Sequence, residues 1–203
     1  MPVQGIFAEV LAPGTIRAGD RITVEAPDPE RPYTAAVITL SDSGARGERK
    51  DESGPEAVRL LTEAGFEVLE TLLLPDDRAL LSAALIRLAD QRQVSLILTT
   101  GGTGFSPRDN TPEATMDVCT RNAPGIAEAI RAASMQYTDR AMLSRGVSVI
   151  RGATCIVNLP GSPKAVREST AVFLKPILHG LRVLRGSVVN CAADRTGKET
   201  DKT

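Results

Sequence analysis

The chain has few of the residues that build metal centres, nucleophile systems or disulfide frameworks. Its 203 residues include one histidine, His179, and only three cysteines, Cys119, Cys155 and Cys191, which lie far apart. No spacing among them resembles a zinc or iron–sulfur site, and a Cys/His or Ser/His nucleophile could use this one histidine alone. We expect His179 to be a surface or satisfied residue, and the cysteines to be small buried hydrophobes in a reducing compartment.

An excess of positive charge, aromatic platforms and long apolar runs are lacking as well. Lys and Arg total 24 against 25 Asp and Glu, and aromatic residues make up 3% with no Trp, so the chain offers little to hold or stack a nucleic acid. No apolar run approaches the ~20 residues that span a bilayer. Residues 1–4 lack the pattern of a secretory signal. We therefore predict a cytoplasmic protein that binds neither nucleic acid nor membrane.

Three regions follow one another along the chain. Residues 1–32 contain two alternating segments, 5–11 and 15–24, and then a proline-rich stretch, which predicts a β-hairpin followed by an extended linker. Residues 33–188 alternate between apolar strands and amphipathic helices. Residues 189–203 are polar and without periodicity, which predicts a disordered tail.

The middle region predicts one α/β domain. Strands are expected at 35–40, 66–74, 94–100, 147–151 and 154–159. Helices are expected after a capping box at Ser53, after Asp77, and at roughly 111–121, 124–135 and 162–185. Strands that alternate with helices predict a three-layer α/β/α fold with a mostly parallel sheet, in which ligands bind at the carboxyl ends of the strands.

Four loops rich in glycine and small polar residues leave the carboxyl ends of the predicted strands, at 41–47, 74–77, 99–112 and 158–164. In the third, the glycines let backbone N–H groups approach a phosphate, and Thr103 adds a hydroxyl. The loop matches neither a Walker nor a Rossmann phosphate loop, and its glycines could equally make a tight turn. Thr111 and Pro112 predict the N-cap and the first residue of the helix that follows.

Asp76 and Asp109 lie at adjacent strand ends and make a hard-oxygen pair suited to Mg²⁺. Simpler interpretations are open for each: Asp76 or Asp77 could cap the helix that follows, and Asp109 could cap a turn through Asn110 and Thr111. In the fourth loop Ser162 predicts a helix cap, and Lys164 is either a cation for a bound anion or a solvated side chain.

Together, the segments TTGGTG (99–104) and PRDNTPEAT (107–115) closely resemble the signature of the molybdopterin-binding family, which includes bacterial molybdopterin adenylyltransferases. The segments LSD (40–42), SGP (53–55), LPDD (74–77), MLSR (142–145) and NLPGSPK (158–164) resemble the other blocks of this family, in the same order. The resemblance covers residues 33–185.

The resemblance implies a trimeric enzyme that binds molybdopterin and Mg-ATP, transfers AMP to the terminal phosphate of the pterin and releases pyrophosphate. It implies that Asp76 is required for the transfer and that Asp109 is its partner near the metal and phosphates. A molybdenum-insertion protein is an implied partner. Asn110 stands where many members have valine, which we expect to leave the chemistry untouched. The implied substrate and nucleotide contacts are Ser41, Asp42, Thr100, Gly101, Gly102, Thr103, Gly104, Ser106, Ser144, Pro160, Gly161, Ser162 and Lys164.

Residues 14–20 separately resemble the closing strands of a MOSC domain, a module associated with molybdenum-cofactor sulfur chemistry. This likeness implies a remnant, or a piece of a longer fusion. Two alternatives to the enzyme stay open. One is a non-catalytic molybdopterin-binding scaffold, and the other is a related nucleotide-pyrophosphatase fold.

Overall fold

The structure, a computed structural model, describes residues 14–21 and 31–186. Its strands are β1 (Thr34–Leu40), β2 (Glu67–Leu74), β3 (Leu96–Thr100), β4 (Arg121–Asn122), β5 (Ser148–Arg151) and β6 (Thr154–Leu159). Its α-helices are α1 (Asp42–Ala45), α2 (Ser53–Glu63), α3 (Arg78–Ile86), α4 (Thr111–Asp117), α5 (Gly125–Ser134) and α6 (Pro163–Leu184). A π-helical turn, Arg87–Gln91, extends α3, and a 3₁₀ turn, Asp139–Leu143, precedes β5.

The strands form one sheet in the order β2-β1-β3-β6-β5-β4. The first four are mutually parallel, while β5 and β4 add an antiparallel edge. This arrangement confirms the predicted α/β class with a mostly parallel sheet. The carboxyl ends of β2, β1, β3 and β6 therefore lie side by side along one rim.

Both faces of the sheet are covered, which explains why β1 reads as a continuous apolar run. Its residues alternate between two apolar clusters. Ala35 and Val37 pack with α2, α5 and α6 on one face, and Ile38 and Leu40 pack with α3 and α4 on the other. The helices thus form two outer layers, and the rim is left to the loops.

Two local predictions differ from the structure. The helix predicted at 111–121 ends at Asp117 and is followed by β4, which is too short to show a strand period. The capping box at Ser53 is wrong: Ser53 is the first residue of α2, and the carboxylate of Asp51 accepts the N–H groups of Ser53 and Gly54, both at 3.0 Å. A carboxylate outside the helix therefore takes the role assigned to the serine hydroxyl.

The second strand of the predicted hairpin is absent over residues 15–21, which contain a turn at 18–19. Asp20 N–H donates to Arg17 O at 3.1 Å, and Arg17 N–H donates to an Asp20 carboxylate oxygen at 2.8 Å. The remainder of the hairpin, most of the linker and the predicted tail lie outside the described residues.

The two cysteines in the described residues are free. Cys155 is buried, and burial raises the pKa of its thiol to about 12, while half-buried Cys119 packs against the cluster that contains α3. His179 is exposed on α6. Within residues 14–21 and 31–186, no helix combines the length and apolar character needed to cross a bilayer.

Candidate functional site

The four loops meet at one rim because their parent strands are parallel neighbours. Hydrogen bonds join them in pairs. Ser41 N–H, after β1, donates to Leu74 O at the end of β2 at 2.9 Å, and Gly101 N–H, after β3, donates to Leu159 O at the end of β6 at 3.1 Å. The rim is therefore a single surface built from distant parts of the chain.

Asp42 and Asp76 hold each other in place through reciprocal hydrogen bonds. The backbone N–H of each donates to the other's carboxylate at 3.0 Å. Arg108, from the third loop, adds a two-pronged ion pair to the Asp42 carboxylate, with Nε and Nη2 at 2.9 and 2.8 Å. Three loops are thereby linked through two carboxylates.

The pKa values of the Asp42 and Asp76 carboxyl groups are shifted in opposite directions. The hydrogen bond from Arg108 is the main cause that holds the pKa of Asp42 below its ordinary value. Burial is the main cause that raises the pKa of Asp76, and the nearby negative charges of Asp42 and Asp109 add to the rise. Asp76 is thus a half-buried carboxylate that would gain from a cation. Asp77 caps α3 by accepting Leu80 N–H at 2.9 Å, as predicted for one member of this pair.

Asp109 lies beside the same glycine loop as Asp76. A Cβ placed on Gly104 would lie 2.9 Å from Asp109 Oδ2, and one placed on Gly102 would lie 3.1 Å from Asp76 Oδ1. Asp109 also accepts Ser106 N–H at 3.1 Å, so it caps the turn that precedes it and not the predicted turn through Asn110 and Thr111. The two predicted acidic residues therefore come together across one short loop.

The glycines of the third loop serve two purposes. Gly101, at φ +93°, lies against the end of β1, where a Cβ would lie 2.4 Å from Leu40 O. Gly161 of the fourth loop packs on it, since a Cβ on Gly161 would lie 3.1 Å from Gly101 Cα. In the described residues nothing accepts the backbone N–H of Gly102, Thr103 or Gly104. Gly101 thus packs loops together, and the next three residues offer donors to a ligand.

A small cavity of about 140 Å³ lies between the first and fourth loops, beside the start of α2. It is smaller than the ~300 Å³ at the lower end of ligand pockets, so it can enclose only part of a nucleotide or pterin. Arg49 and Lys50 line it and supply positive charge. Ser53 and Thr39 form its wall.

Thr100 is fully buried under this wall, with its hydroxyl 2.9 Å from the Ser53 hydroxyl and 3.4 Å from that of Thr39. Gly54 makes room for the cluster, because a Cβ there would lie 2.4 Å from Asp51 Oδ2 and 2.5 Å from Thr39 Oγ1. Thr100 therefore lies behind the surface that a ligand would touch.

The other predicted contact residues take local structural roles at the rim. Ser41 caps α1 and Ser162 caps α6, each by accepting a backbone N–H from three residues later, at 3.0 and 3.2 Å. Ser106 accepts Arg108 N–H, and Ser144 accepts Gly146 N–H. Lys164 is exposed, 3.7 Å from Glu168. Direct contact of these residues, and of Pro160, with a substrate stays a prediction.

Several residues of the site were not identified from the sequence. Arg145 holds the third loop in place through several hydrogen bonds. Its backbone N–H donates to Thr103 O, and its guanidinium donates to Gly104 O at 2.7 Å and to Asp109 O. The guanidinium also forms an ion pair with Glu113. Arg145 lies in the family-like segment 142–145, but nothing local in the sequence indicates this role, because its partners are dozens of residues away.

Thr111 differs from expectation, and its neighbour Asn110 contacts Asp76. Thr111 is not an N-cap: it is the first residue of α4, its N–H donates to Gly102 O at 3.2 Å, and its hydroxyl has no partner in the described residues. Asn110, which stands where many members have valine, donates its side-chain amide to Asp76 O at 3.4 Å, a long hydrogen bond, and its lack of effect on the chemistry stays a prediction. Both residues therefore belong to the surroundings of Asp76.

A metal site made by the protein alone is not present in the described residues, since no group of three or more His, Cys, Asp or Glu side chains could hold an ion there. Asp76 and Asp109 together offer two carboxylates. Mg²⁺ commonly binds one or two carboxylates together with substrate phosphates and water, so this pair fits a cation that arrives with a nucleotide.

Comparison with known proteins gives one consistent result. Residues 36–180 match the family described as "Probable molybdopterin binding domain". The chain is 40% identical over 156 residues to the molybdopterin adenylyltransferase of Escherichia coli K12, with 75% of each chain covered. It is similar in structure to the molybdopterin biosynthesis enzyme MoaB from Thermus thermophilus, at 43% identity and TM-score 0.72, covering 76% of this chain and 97% of that one. A molybdopterin biosynthesis protein from Mycobacterium abscessus gives 36% identity and TM-score 0.73, covering 76% and 98%.

Proposed function

This chain belongs to the molybdopterin-binding domain family, and on that premise we propose that it adenylylates molybdopterin with Mg-ATP, giving adenylyl-molybdopterin and pyrophosphate. The observation that carries the proposal is the meeting of Asp76 and Asp109 across a glycine loop whose N–H groups at Gly102, Thr103 and Gly104 have no acceptor in the described residues. Backbone donors for phosphate and carboxylates for a hard cation are what phosphoryl transfer needs.

In the proposed reaction a terminal phosphate oxygen of molybdopterin forms a bond to the α-phosphorus of ATP. The bond from that phosphorus to the oxygen bridging to the β-phosphate breaks, and pyrophosphate leaves with the electron pair. The free N–H groups of the third loop stabilise negative charge on the transferring group. Arg49 and Lys50, at the cavity beside α2, hold a further anionic part of the substrates.

Asp76 and Asp109 would hold Mg²⁺, which would neutralise part of the negative charge of the phosphates. The raised pKa of Asp76 supports this role, because its first cause is burial and two further carboxylates act against its charge. Asp42 keeps Asp76 in position through the paired N–H bonds, while Arg108 balances the charge of Asp42.

Incubation of the purified chain with molybdopterin and α-labelled ATP tests the proposal. We expect transfer of label to molybdopterin and release of one pyrophosphate per transfer. Molybdopterin binding without pyrophosphate release would point to the scaffold alternative. Cleavage of a pyrophosphate bond in the absence of pterin would point to the pyrophosphatase alternative. Either result overturns adenylyl transfer as the function.

The proposal includes a homotrimer in the cytoplasm that passes its product to a molybdenum-insertion protein. Phe105, Tyr137 and Met142 are each more than 60% exposed, and a trimer interface that included them would cover apolar surface. Free Cys119 and Cys155 are consistent with a reducing compartment. Light scattering on the purified chain tests the trimer, and a monomeric mass at micromolar concentration would contradict it.

A further inference from the structure

Four carboxylates surround the part of the rim where the proposed function needs a polyanion. Asp42 and Asp76 accept each other's backbone N–H groups, Asp77 follows Asp76, and Asp109 lies across the glycine loop. The triphosphate of ATP carries several negative charges, and one divalent cation cancels only part of the repulsion between it and these carboxylates. Nucleotide binding at this rim therefore favours a positive side chain beside the cation.

Arg108 places a guanidinium among these carboxylates. Its backbone precedes that of Asp109, and its Nε and Nη2 donate to the Asp42 carboxylate at 2.9 and 2.8 Å, so the side chain reaches from the third loop to the first. The hydrogen bond with Asp42 is the main cause that raises the pKa of Arg108, and the charges of Asp76 and Asp77 add to the rise. The guanidinium therefore interacts with three of the four carboxylates.

Part of the Arg108 guanidinium is still available to a ligand. Its third nitrogen, Nη1, has no hydrogen-bond acceptor in the described part of the chain, and the side chain is 61% exposed although it is ion-paired. A guanidinium carries its donors in a rigid plane, so the two bonds to Asp42 also fix the direction of the donors that remain. Phosphate oxygens are common partners of such oriented donors. An anion that arrives from solvent can thus contact Arg108 directly.

Other arginines near the rim are less suited to this contact. Arg145 uses all three guanidinium nitrogens for bonds within the chain. Arg46 is bound to Glu48, which is the main cause of the raised pKa of Arg46, and among the four carboxylates only Asp42 adds to that rise. Arg108 is therefore the arginine that combines an unpaired donor with the surroundings of the acidic pair.

We infer that Arg108 is a phosphate-binding residue: it donates from Nη1 to a phosphate oxygen of the nucleotide, while Asp42 holds its guanidinium in place. The inference rests on the proposed function, in which ATP brings the phosphates to this rim. Arg108 then neutralises negative charge that the divalent cation leaves uncompensated. Asp42 gains a second role, because it orients a substrate-binding cation as well as positioning Asp76.

The affinity for a non-hydrolysable ATP analogue with Mg²⁺ tests the inference without any turnover. Calorimetric titrations use the full chain. Arg108→Gln removes the charge and the donor plane, and the dissociation constant should rise about fivefold, the upper end for an exposed ion pair. Arg108→Lys keeps the charge without the planar donors, so its affinity should lie between those of the wild type and the glutamine variant. The unfolding temperature of both variants should change little, because the pair with Asp42 is exposed.

Arg46→Gln is the matched control. Arg46 is 59% exposed and, like Arg108, it binds one carboxylate through Nε and Nη2. Its variant removes the same charge from the neighbouring loop and should keep the wild-type affinity for the analogue, because solvent and salt screen a charge that makes no contact. Equal weakening by Arg46→Gln and Arg108→Gln would mean that net charge, and not a contact, is responsible.

Asp42→Asn separates phosphate binding from a purely structural role of Arg108. An amide oxygen in the place of Oδ1 can still accept the Asp76 N–H and the Arg108 Nη2, while one negative charge leaves the rim. If Arg108 served only to hold the first loop through Asp42, loss of either partner would weaken analogue binding alike. We expect the opposite signs: Arg108→Gln weakens binding, whereas Asp42→Asn binds the analogue at least as tightly as the wild type.

Wild-type affinity in Arg108→Gln would overturn the inference, as would an equal loss in Arg46→Gln or Asp42→Asn. These readouts are separate from the proposed function. A chain that binds the analogue through Arg108 but releases no pyrophosphate would contradict adenylyl transfer and leave the phosphate contact standing. Adenylyl transfer by a chain whose analogue affinity does not depend on Arg108 would do the reverse.

Discussion

The two ends of the sheet differ in how completely their polar groups are paired. At the amino end, Ser95 N–H donates to Thr34 O at 2.9 Å, and the Thr154 hydroxyl donates to Val94 O. Arg185 closes this end by stacking on Tyr33, with its guanidinium carbon 3.8 Å from the ring centre, and by donating to Arg31 O at 3.0 Å. The polar groups of these residues are thus paired within the chain, and these contacts stabilise the fold.

The carboxyl end leaves several polar groups without partners. The Thr111 hydroxyl is unpaired, consecutive N–H groups of the third loop have no acceptor in the described residues, and the pKa of Asp76 is raised by burial. Shifted carboxyl groups and unpaired donors are characteristic of ligand sites. Stability and binding are therefore separated along the strands, so substitutions at the two ends should have different consequences.

Asp76→Asn should have the largest effect. The amide can still accept Asp42 N–H but lacks the charge for a cation, so turnover should fall at least about 100-fold. The raised pKa means that the contribution of the Asp76 carboxyl to stability is fully present below the ordinary value of 3.8 and is lost as pH rises through the raised pKa. At neutral pH the variant should therefore be no less stable than the wild type, and the difference should shrink in acid. Asp77→Asn, at the helix cap, is the control and should retain turnover. Normal AMP transfer by Asp76→Asn would contradict the role.

Arg145→Met should have the next largest effect. It leaves the carbonyls of Gly104 and Asp109 without their guanidinium donor. We expect the free energy of unfolding to fall by about 1–3 kcal/mol. Because the loop then loses its position, kcat/KM should fall by about tenfold or more. Arg151→Met, which breaks a comparable pair with Asp90 and Val118 O at the antiparallel edge, should lower stability alone. The same kcat/KM in Arg145→Met and Arg151→Met would argue against a positioning role for Arg145.

Arg108→Gln should have a smaller effect than Arg145→Met, seen as a shift in the pH dependence of kcat/KM. The Arg108 hydrogen bond lowers the pKa of Asp42, so the carboxylate is stabilised above its ordinary pKa and loses this stabilisation as pH falls through the lowered value. Without Arg108, Asp42 should protonate at higher pH, and the acidic limb of the kcat/KM profile should move to higher pH. Arg78→Gln, which breaks an exposed pair with Asp117, is the control and should leave the limb unmoved.

Arg185→Gln should have the smallest effect and should be confined to the amino end. Loss of the contact with Tyr33 should lower the free energy of unfolding by about 1 kcal/mol, measured by denaturant titration. Steady-state parameters should match the wild type, because the partners of Arg185 all lie at the amino end. A change in KM or kcat in Arg185→Gln would contradict the separation of stability and binding between the two ends of the sheet.

The sequence predicted the parts of this fold that depend on neighbours along the chain. Apolar runs such as β3 and the cap at Asp77 were right because their signals are local. The caps assigned to Ser53 and Thr111 were wrong, because Asp51 accepts the Ser53 N–H and Gly102 O accepts the Thr111 N–H, so that each of these residues is the first of its helix and does not precede it.

Residues of the site with distant partners could not be found in this way. Arg108 meets Asp42 across 66 positions, and Arg145 meets Gly104 across 41. Only the folded sheet brings such pairs together, so composition and spacing do not mark them. Asp76 and Asp109 lie on one rim as predicted, but the strands before them are not adjacent, because β1 lies between β2 and β3. The resemblance to a family did not distinguish Thr100, behind the wall, from residues that face a ligand.

The contact between Gly101, Leu40 O and Gly161 has a consequence for redesign. Main-chain atoms alone set the spacing of the first, third and fourth loops there, so this frame does not depend on which side chains surround it. An engineer who wants a different phosphorylated acceptor can vary the polar side chains around the opening and keep those two glycines as fixed anchor points. A bulkier residue at position 101 would instead push β1 away from its neighbour, whatever the new specificity.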